Sequence, residues 1–455
     1  MRPPSTGSRS TAPSRRAFAI LAIDAVVLAL VLATAPAAFV WLSGSRPSPL
    51  AVGSPGQSES GSLSPGATAS GSAAATPAPS QSLPSATPVP SATIAYGDGT
   101  WARLPAMPRS LWGAGAAVLG DGRVLVVGGL SGPSSTTALA TVEVFDPGSN
   151  SWATAAPMLQ ARAYPATVTL ADGSVLVVGG SRAGVPLGSA ERYFPDSGTW
   201  LSAGSMSAPR TQARATVLRD GRVLVTGGGT EGAPGYRSTN AAEIFDPMAG
   251  TWTPTTPMSS ARAFHTATLL SDGEVLVTGG ASIYHGSKGT VVASAEIYDP
   301  KSGIWHGAAR MSVARYHHTA APLSDGRVLV AGGWAFTTNS DKSLATAEIY
   351  DPAANTWTAT GSMATGRARG SMTPLPDGRV FVVGGVDPAY RVMATSEIWD
   401  SSSGRWRLTG RLGTAVMWPA LAVLHDGRVL LAGGALDAVA AHATSASAIF
   451  APPAP

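Results

Sequence analysis

Ala166-Thr167-Val168-Thr169-Leu170, then Asp172-Gly173, then Val175-Leu176-Val177-Val178-Gly179-Gly180: this stretch decides the fold. Asp-Gly between two apolar runs is the strongest short-range signal for a β-hairpin. The run after it has little alternation, so the second strand is covered on both faces. The Gly doublet ends that strand, where the backbone needs positive φ or close contact with a neighbour. The same stretch recurs seven times. Trp101, Trp152, Trp200, Trp252, Trp305, Trp357 and Trp406 each stand 27 residues before the first Gly of a doublet. Asp-Gly follows each Trp by twenty residues. A period near fifty residues marks stacked supersecondary units, none of which buries its apolar face alone.

Two further strands complete each unit. After a loop of variable length comes a segment such as Glu243-Ile244-Phe245-Asp246-Pro247 or Glu348-Ile349-Tyr350-Asp351-Pro352. Asp-Pro opens a turn, and a fourth strand follows with the Trp, nine residues after the Glu. Four short antiparallel strands (A to D), repeated radially, predict an all-β propeller with seven blades. Trp101 has no blade of its own, and the last copy, Ala448-Ile449-Phe450, has no following Trp. The strand around Trp101 is therefore predicted to complete the seventh blade and lock the ring.

The pattern resembles the kelch family of β-propellers, whose repeat pairs a Gly doublet with a downstream aromatic-Asp segment and a Trp. The resemblance spans residues 96–451. It implies a seven-bladed propeller like the one in galactose oxidase, and a role in molecular interactions. Galactose oxidase oxidises sugars with copper and a Tyr joined to a Cys. This chain has no Cys, so that cofactor cannot form and none is expected. The resemblance leaves open a second enzymatic alternative, a sialic-acid-epimerase-like activity, and a third reading as an inert surface protein.

Ahead of the repeats lie three other segments. Residues 1–16 are basic, and residues 17–42 are apolar apart from Asp24, Thr34 and Pro36. That length can span a bilayer. Four arginines precede it and Arg46 follows, which places the N-terminus in the cytoplasm and residues 96–455 outside. An uncleaved signal anchor is the first reading; a cleaved signal peptide ending near Ala35-Pro36-Ala37 is the second. Ser14-Arg15-Arg16-Ala17-Phe18 also resembles a twin-arginine export signal. Residues 43–95 are Ser, Pro, Ala, Gly and Thr almost throughout, too polar and too simple to bury a core. They read as a disordered stalk spanning roughly 40 Å. Five arginines and two acids fall before residue 96, leaving 26 basic and 25 acidic residues. A near-neutral body gives no electrostatic footprint for nucleic acid.

Repetition separates scaffold from site. Arg162, Arg210, Arg262, Arg315 and Arg367 recur ten residues after a Trp, and Glu143, Glu191, Glu243, Glu296, Glu348 and Glu397 recur on strand C. They predict buried ion pairs between strands C and A, within a blade or to the next one; the missing positions Leu111, Val416 and Ala448 fit both schemes. Twelve residues past each Trp, by contrast, stand Gly113, Tyr164, Gln212, Phe264, His317, Arg369 and Trp418, no two alike. These enter the innermost strand and are expected to ring the mouth of the central channel. Trp112 and the B–C loop residues Tyr236, Tyr284, Trp334 and Tyr390 share that face. Exposed aromatics beside Arg, Asn and Asp suit a glycan, protein or peptide ligand. No catalytic residue and no metal site is assigned. The single-copy groups Arg369, His317, Glu231 and Asp387 are a thin set for acid–base chemistry, and His318 and His265 share one repeat register.

Overall fold

The computed structural model describes residues 99–131, 137–232, 235–283, 289–336, 341–438 and 442–453. The basic N-terminus, apolar segment and stalk expected over residues 1–95 lie outside these.

Seven four-stranded antiparallel sheets are arranged around a central axis. In the third blade the strands are Arg214–Val217, Val223–Thr226, Ala242–Asp246 and Thr251–Pro254, paired in that order. Strand B is buried along its whole length in every blade, as its continuous apolar run requires. The inner strands touch blade to blade, and the last of them, Ala420–Val423, meets the first, Gly115–Val118, so the ring is closed.

Closure uses the borrowed strand. Thr100–Arg103 pairs antiparallel with Ser447–Ala451, with Trp101 opposite Phe450. Their ring centroids lie 5.1 Å apart. That matches Phe145–Trp152 at 5.1 Å and Phe245–Trp252 at 5.0 Å in ordinary blades. Trp101 Nε1 also donates to Gly410 O and Ser396 Oγ of the sixth blade, each at 3.1 Å. Other strand D tryptophans reach the preceding blade likewise: Trp200 to Ala156 O, Trp252 to Ala203 O and Trp357 to Ala309 O. Trp152 reaches Ser447 Oγ in the same way, so five of the seven indoles join two blades, while Trp305 and Trp406 leave Nε1 without a partner.

The Gly doublets form the other seam. The second Gly donates its N–H to the carbonyl ten residues past the next Trp: Gly129 to Arg162, Gly228 to Arg262 and, across the closure, Gly434 to Leu111, at 2.8–2.9 Å. The first Gly sits at φ +53° to +68°. A Cβ there would lie 2.3–2.5 Å from that same carbonyl oxygen, so no other residue fits.

The ion pairs fall within the blade that the arginine enters. Arg262 Nη2 donates to Glu296 Oε1 at 2.5 Å, Arg315 to Glu348 at 2.7 Å and Arg367 to Glu397 at 2.6 Å, all buried. Glu296 also accepts the Ser259 N–H at 2.6 Å, and Arg262 Nη1 donates to Gly279 O at 2.9 Å. Each pair thus ties strand C to the D–A loop and the doublet. Blade seven replaces both partners, Val416 and Ala448, which a within-blade pair permits. Blade one replaces only the arginine, with Leu111, and leaves buried Glu143 with one oxygen unpartnered. Burial pushes the Glu143 carboxyl up, against lowering by a bond from Thr154 and by Arg109.

The B–C loops differ from the expectation of plain loops. Four carry two-stranded ribbons: Ser181–Arg182 with Val185–Pro186, Gly229–Gly232 with Gly235–Ser238, Ala281–Ser282 with Thr290–Val291, and Trp334–Phe336 with Asp341–Ser343. Strands of two to four residues leave no periodicity to read.

Three outcomes follow. Trp101→Ala is expected to cost about 3–5 kcal/mol in a denaturant melt, as for a large core aromatic. Arg262→Met or Glu296→Leu alone is expected to cost about 3–5 kcal/mol, and the double variant far less than their sum, measured by a double-mutant cycle. Glu143 favours its protonated form when folded, so its contribution falls as pH rises above 4.5, the ordinary value. Glu143→Gln is then expected to raise stability at pH 7 by about 1 kcal/mol and to remove that part of the pH dependence.

Candidate functional site

The D–A and B–C loops lie on one face because each pair is bridged. The residue eleven past each Trp pairs with the residue after the doublet: Trp112 with Leu130, Thr211 with Gly229, Tyr316 with Trp334, Met417 with Ala435, and likewise in the other blades. The next residue in each loop then turns left-handed. Gly113, Tyr164, Gln212, Phe264, His317, Arg369 and Trp418 all have φ between +49° and +63°. Their backbones link one blade to the next: Trp418 N–H donates to Arg369 O, Arg369 to His317 O, His317 to Phe264 O, and Tyr164 to Gly113 O. Because the blades close on themselves, the seven equivalent positions lie around one ring, with four of its seven steps bridged by these bonds.

Left-handed backbone costs a non-Gly residue roughly 1–2 kcal/mol. The conformation recurs in every blade, so it belongs to the fold. Glycine would relieve it everywhere, yet only Gly113 is one. Six side chains persist against their backbone cost.

Most of those side chains pack together. Trp112 stacks on Trp418 at 5.4 Å, and Tyr164 meets both edge-on at 5.5 and 6.0 Å. His317 contacts Phe264 at 4.0 Å, Trp334 at 5.7 Å and Trp418 at 5.8 Å. Tyr236 stacks on Phe264 at 6.1 Å, and Tyr390 lies 6.3 Å from Trp334. The Arg369 guanidinium lies 4.3 Å from the ring centres of both Trp334 and Trp418, a cation–π arrangement. Tyr164, His317 and Arg369 therefore converge on Trp418. Blades three and six put no aromatic at either bridging or left-handed position; Thr211–Gln212 and Ala368–Arg369 stand there instead.

The sequence suggested exposed aromatics, and the structure buries several of them. Trp112 and Trp334 are each 2% exposed, Tyr236 7% and Arg369 4%. Trp112 and Trp334 form an apolar cap with Val386, Met417 and Ala435. Tyr164, Gln212, Phe264, His317, Tyr390 and Trp418 keep partial solvent contact. Tyr284 lies outside the described residues. Asp387 is spent on its own turn, accepting from Arg391 Nε at 2.8 Å and from two backbone N–H groups. Periodicity could not foresee the cap, because its members occur once each.

The histidines divide as their registers suggest. His265 and His318 are buried, with Nε2 bonded to Thr226 at 2.9 Å and to Thr266 and Thr278 at 3.2 Å. Only His317 belongs to the ring. Desolvation pushes all three well below the ordinary value of 6.5, with nearby arginines adding to it, Arg369 first for His317 and Arg214 for His265. His317 keeps some solvent contact, yet it lies deep enough for desolvation to dominate. Among the described residues no group of three or more His, Cys, Asp or Glu could hold a metal ion.

With this geometry in view, the comparisons agree. The Kelch motif model matches residues 114–159, 162–207, 210–259 and 315–364. Curated relatives include an F-box/kelch-repeat protein of Arabidopsis thaliana, 32% identical over 32% of this chain and 37% of its own. Alpha-scruin of Limulus polyphemus is 29% identical over 33% of this chain and 16% of its own. The matches thus span well under half of these relatives' length. Among solved structures, a novel fungal alcohol oxidase of the AA5 family, in complex with copper, aligns with a TM-score of 0.63. It is 18% identical and covers 78% of this chain and 77% of its own. YjhT aligns with a TM-score of 0.52, 16% identical, covering 68% of this chain and 99% of its own. The molecule is a closed antiparallel β-propeller. More narrowly, it is a seven-bladed kelch-repeat propeller.

Two measurements check this site. Gln212→Gly is expected to leave stability within about 1 kcal/mol of the parent or above it, since relief of strain offsets the added chain entropy. Gly227→Ala, which places Cβ 2.4 Å from Arg262 O, is expected to lose several times that in the same melt. The lowered histidines stay neutral when folded and titrate near 6.5 when unfolded. Their contribution is then complete above pH 6.5 and lost as pH falls below it. His318→Gln should flatten the fall in melting temperature between pH 7 and pH 5.

Proposed function

We propose that this chain is a membrane-tethered, extracytoplasmic, non-catalytic binding module. Its loop face recognises a glycan or protein ligand. Kelch propellers are generally protein-interaction modules, and the apolar segment at 17–42 with the stalk at 43–95 supports a propeller held away from a membrane. The observation that carries the reading is the left-handed ring: six different non-glycine side chains are retained at positions where the backbone favours glycine. Trp418, His317, Tyr164 and Phe264 keep solvent-facing ring surface, with the amide of Gln212 among them, the mixture that recognises a ligand with one apolar and one polar side.

The likeness to a copper oxidase raises an enzymatic reading, and the donors among the described residues do not fit it. The chain has no Cys. His265 and His318 engage threonine hydroxyls inside the blades, which leaves His317 as the one histidine of the ring. No step through copper is derived.

The full chain, purified in detergent, is to be screened on a glycan array and in peptide pull-downs, beside Trp418→Ala and Phe264→Ala. The reading expects ligands whose binding falls at least tenfold in these variants. An absence of ligands, or binding unaffected by both substitutions, would overturn it. A reporter fused after residue 95 tests topology: periplasm-type or surface activity is expected, and cytoplasmic activity contradicts the tether.

A further inference from the structure

Fourteen residues past each Trp, at the entry to strand A, stand Gly115, Ala166, Thr266, Thr319, Ser371 and Ala420. The ring admits small side chains there, since a Cβ on Gly115 would already strike Thr167 Oγ1 at 2.0 Å. Blade three departs, with Arg214. Its Nε donates to the His265 carbonyl of the next blade at 2.8 Å.

Arg214 is solvent-accessible, yet desolvation holds its guanidinium below the ordinary arginine value. Its strand is one of the innermost, in contact with those of both neighbouring blades, so the exposed side chain lies towards the centre of the ring and not on the outer surface. The five scaffold arginines of the same loops each have a buried glutamate. Arg214 has no carboxylate within ion-pair distance among the described residues. Nothing in the repeat requires a cation there.

The loop just before it carries a further polar group. Gln212, two residues before Arg214, carries a buried amide oxygen without a partner; its carboxamide can present N–H₂ instead by rotating. Blade three is also where the aromatic cap gives way to polar residues, Thr211 and Gln212.

We infer that the loop-face ligand presents a carboxylate to Arg214 at the channel mouth, within the binding role proposed above. Guanidinium and carboxylate match in charge and in their paired hydrogen-bonding atoms. The two sources of this chemistry are an acidic sugar and an acidic peptide side chain.

The test uses matched probes on the full chain: D-glucuronate against D-glucose, and a Glu-containing hexapeptide against its Gln counterpart, by isothermal titration. The acidic member of one pair is expected to bind at least tenfold more tightly, and the pair that responds identifies the source. Arg214→Thr restores the residue type that blades four and five use, so folding is retained, as a circular-dichroism melt verifies. It should lower acidic-probe affinity at least tenfold and leave neutral-probe affinity unchanged, whereas Arg214→Lys keeps part of it. Equal binding of the members of both pairs, no binding of either acidic probe, or an unchanged affinity in Arg214→Thr overturns the carboxylate assignment. The loop-face reading survives those results if the glycan and peptide screens give ligands sensitive to Trp418→Ala, and falls only if they do not.

Discussion

The structure depends on one backbone hydrogen bond repeated at every blade junction. The second glycine of each doublet donates to the carbonyl ten residues past the next Trp, and Gly434 to Leu111 makes the last of these bonds across the closure. The bond forms because the first glycine has no Cβ to keep that carbonyl away. It sets how closely blades approach, and hence the channel radius and the left-turning ring just beyond it. The buried Arg–Glu pairs then fix the loop that carries the carbonyl. Their desolvation makes each pair weak evidence of net stability. Their role is positional, and blade seven shows that two apolar residues serve in their place.

Much of this was legible in the residues. Fixed Trp-to-doublet spacing reports the blade period, because the two ends of that interval both contact neighbouring blades. The stranded Trp101 and the incomplete last copy report the closure, because an unpaired strand edge needs a partner. The Arg and Glu recurrence reports buried pairing. Their direction was hidden, since loop and strand positions repeat at the same period whichever blade the partner belongs to.

The loop face was legible only in outline. Variation at seven equivalent positions marks residues freed from scaffold duty, and those seven do form one ring. Their burial could not be read. Trp112 and Trp334 look like exposed loop aromatics in sequence, and they are buried in one apolar cluster only because the bridges between D–A and B–C loops draw each inward. Arg214 is hidden for a related reason. It sits on a strand, in a register whose other members are small, so its departure gains meaning only once that strand is placed at the inner edge of the ring.

The most direct test of the central claim is a cross-link across the closure in a chain with no native cysteine. Thr100 lies opposite Ala451 in the closing pair. Thr100→Cys with Ala451→Cys should form an intramolecular disulfide under mild oxidation, giving a monomer of altered non-reducing mobility and a raised melting temperature. Free thiols under those conditions, or cross-links only between molecules, would contradict a ring locked by its N-terminal strand.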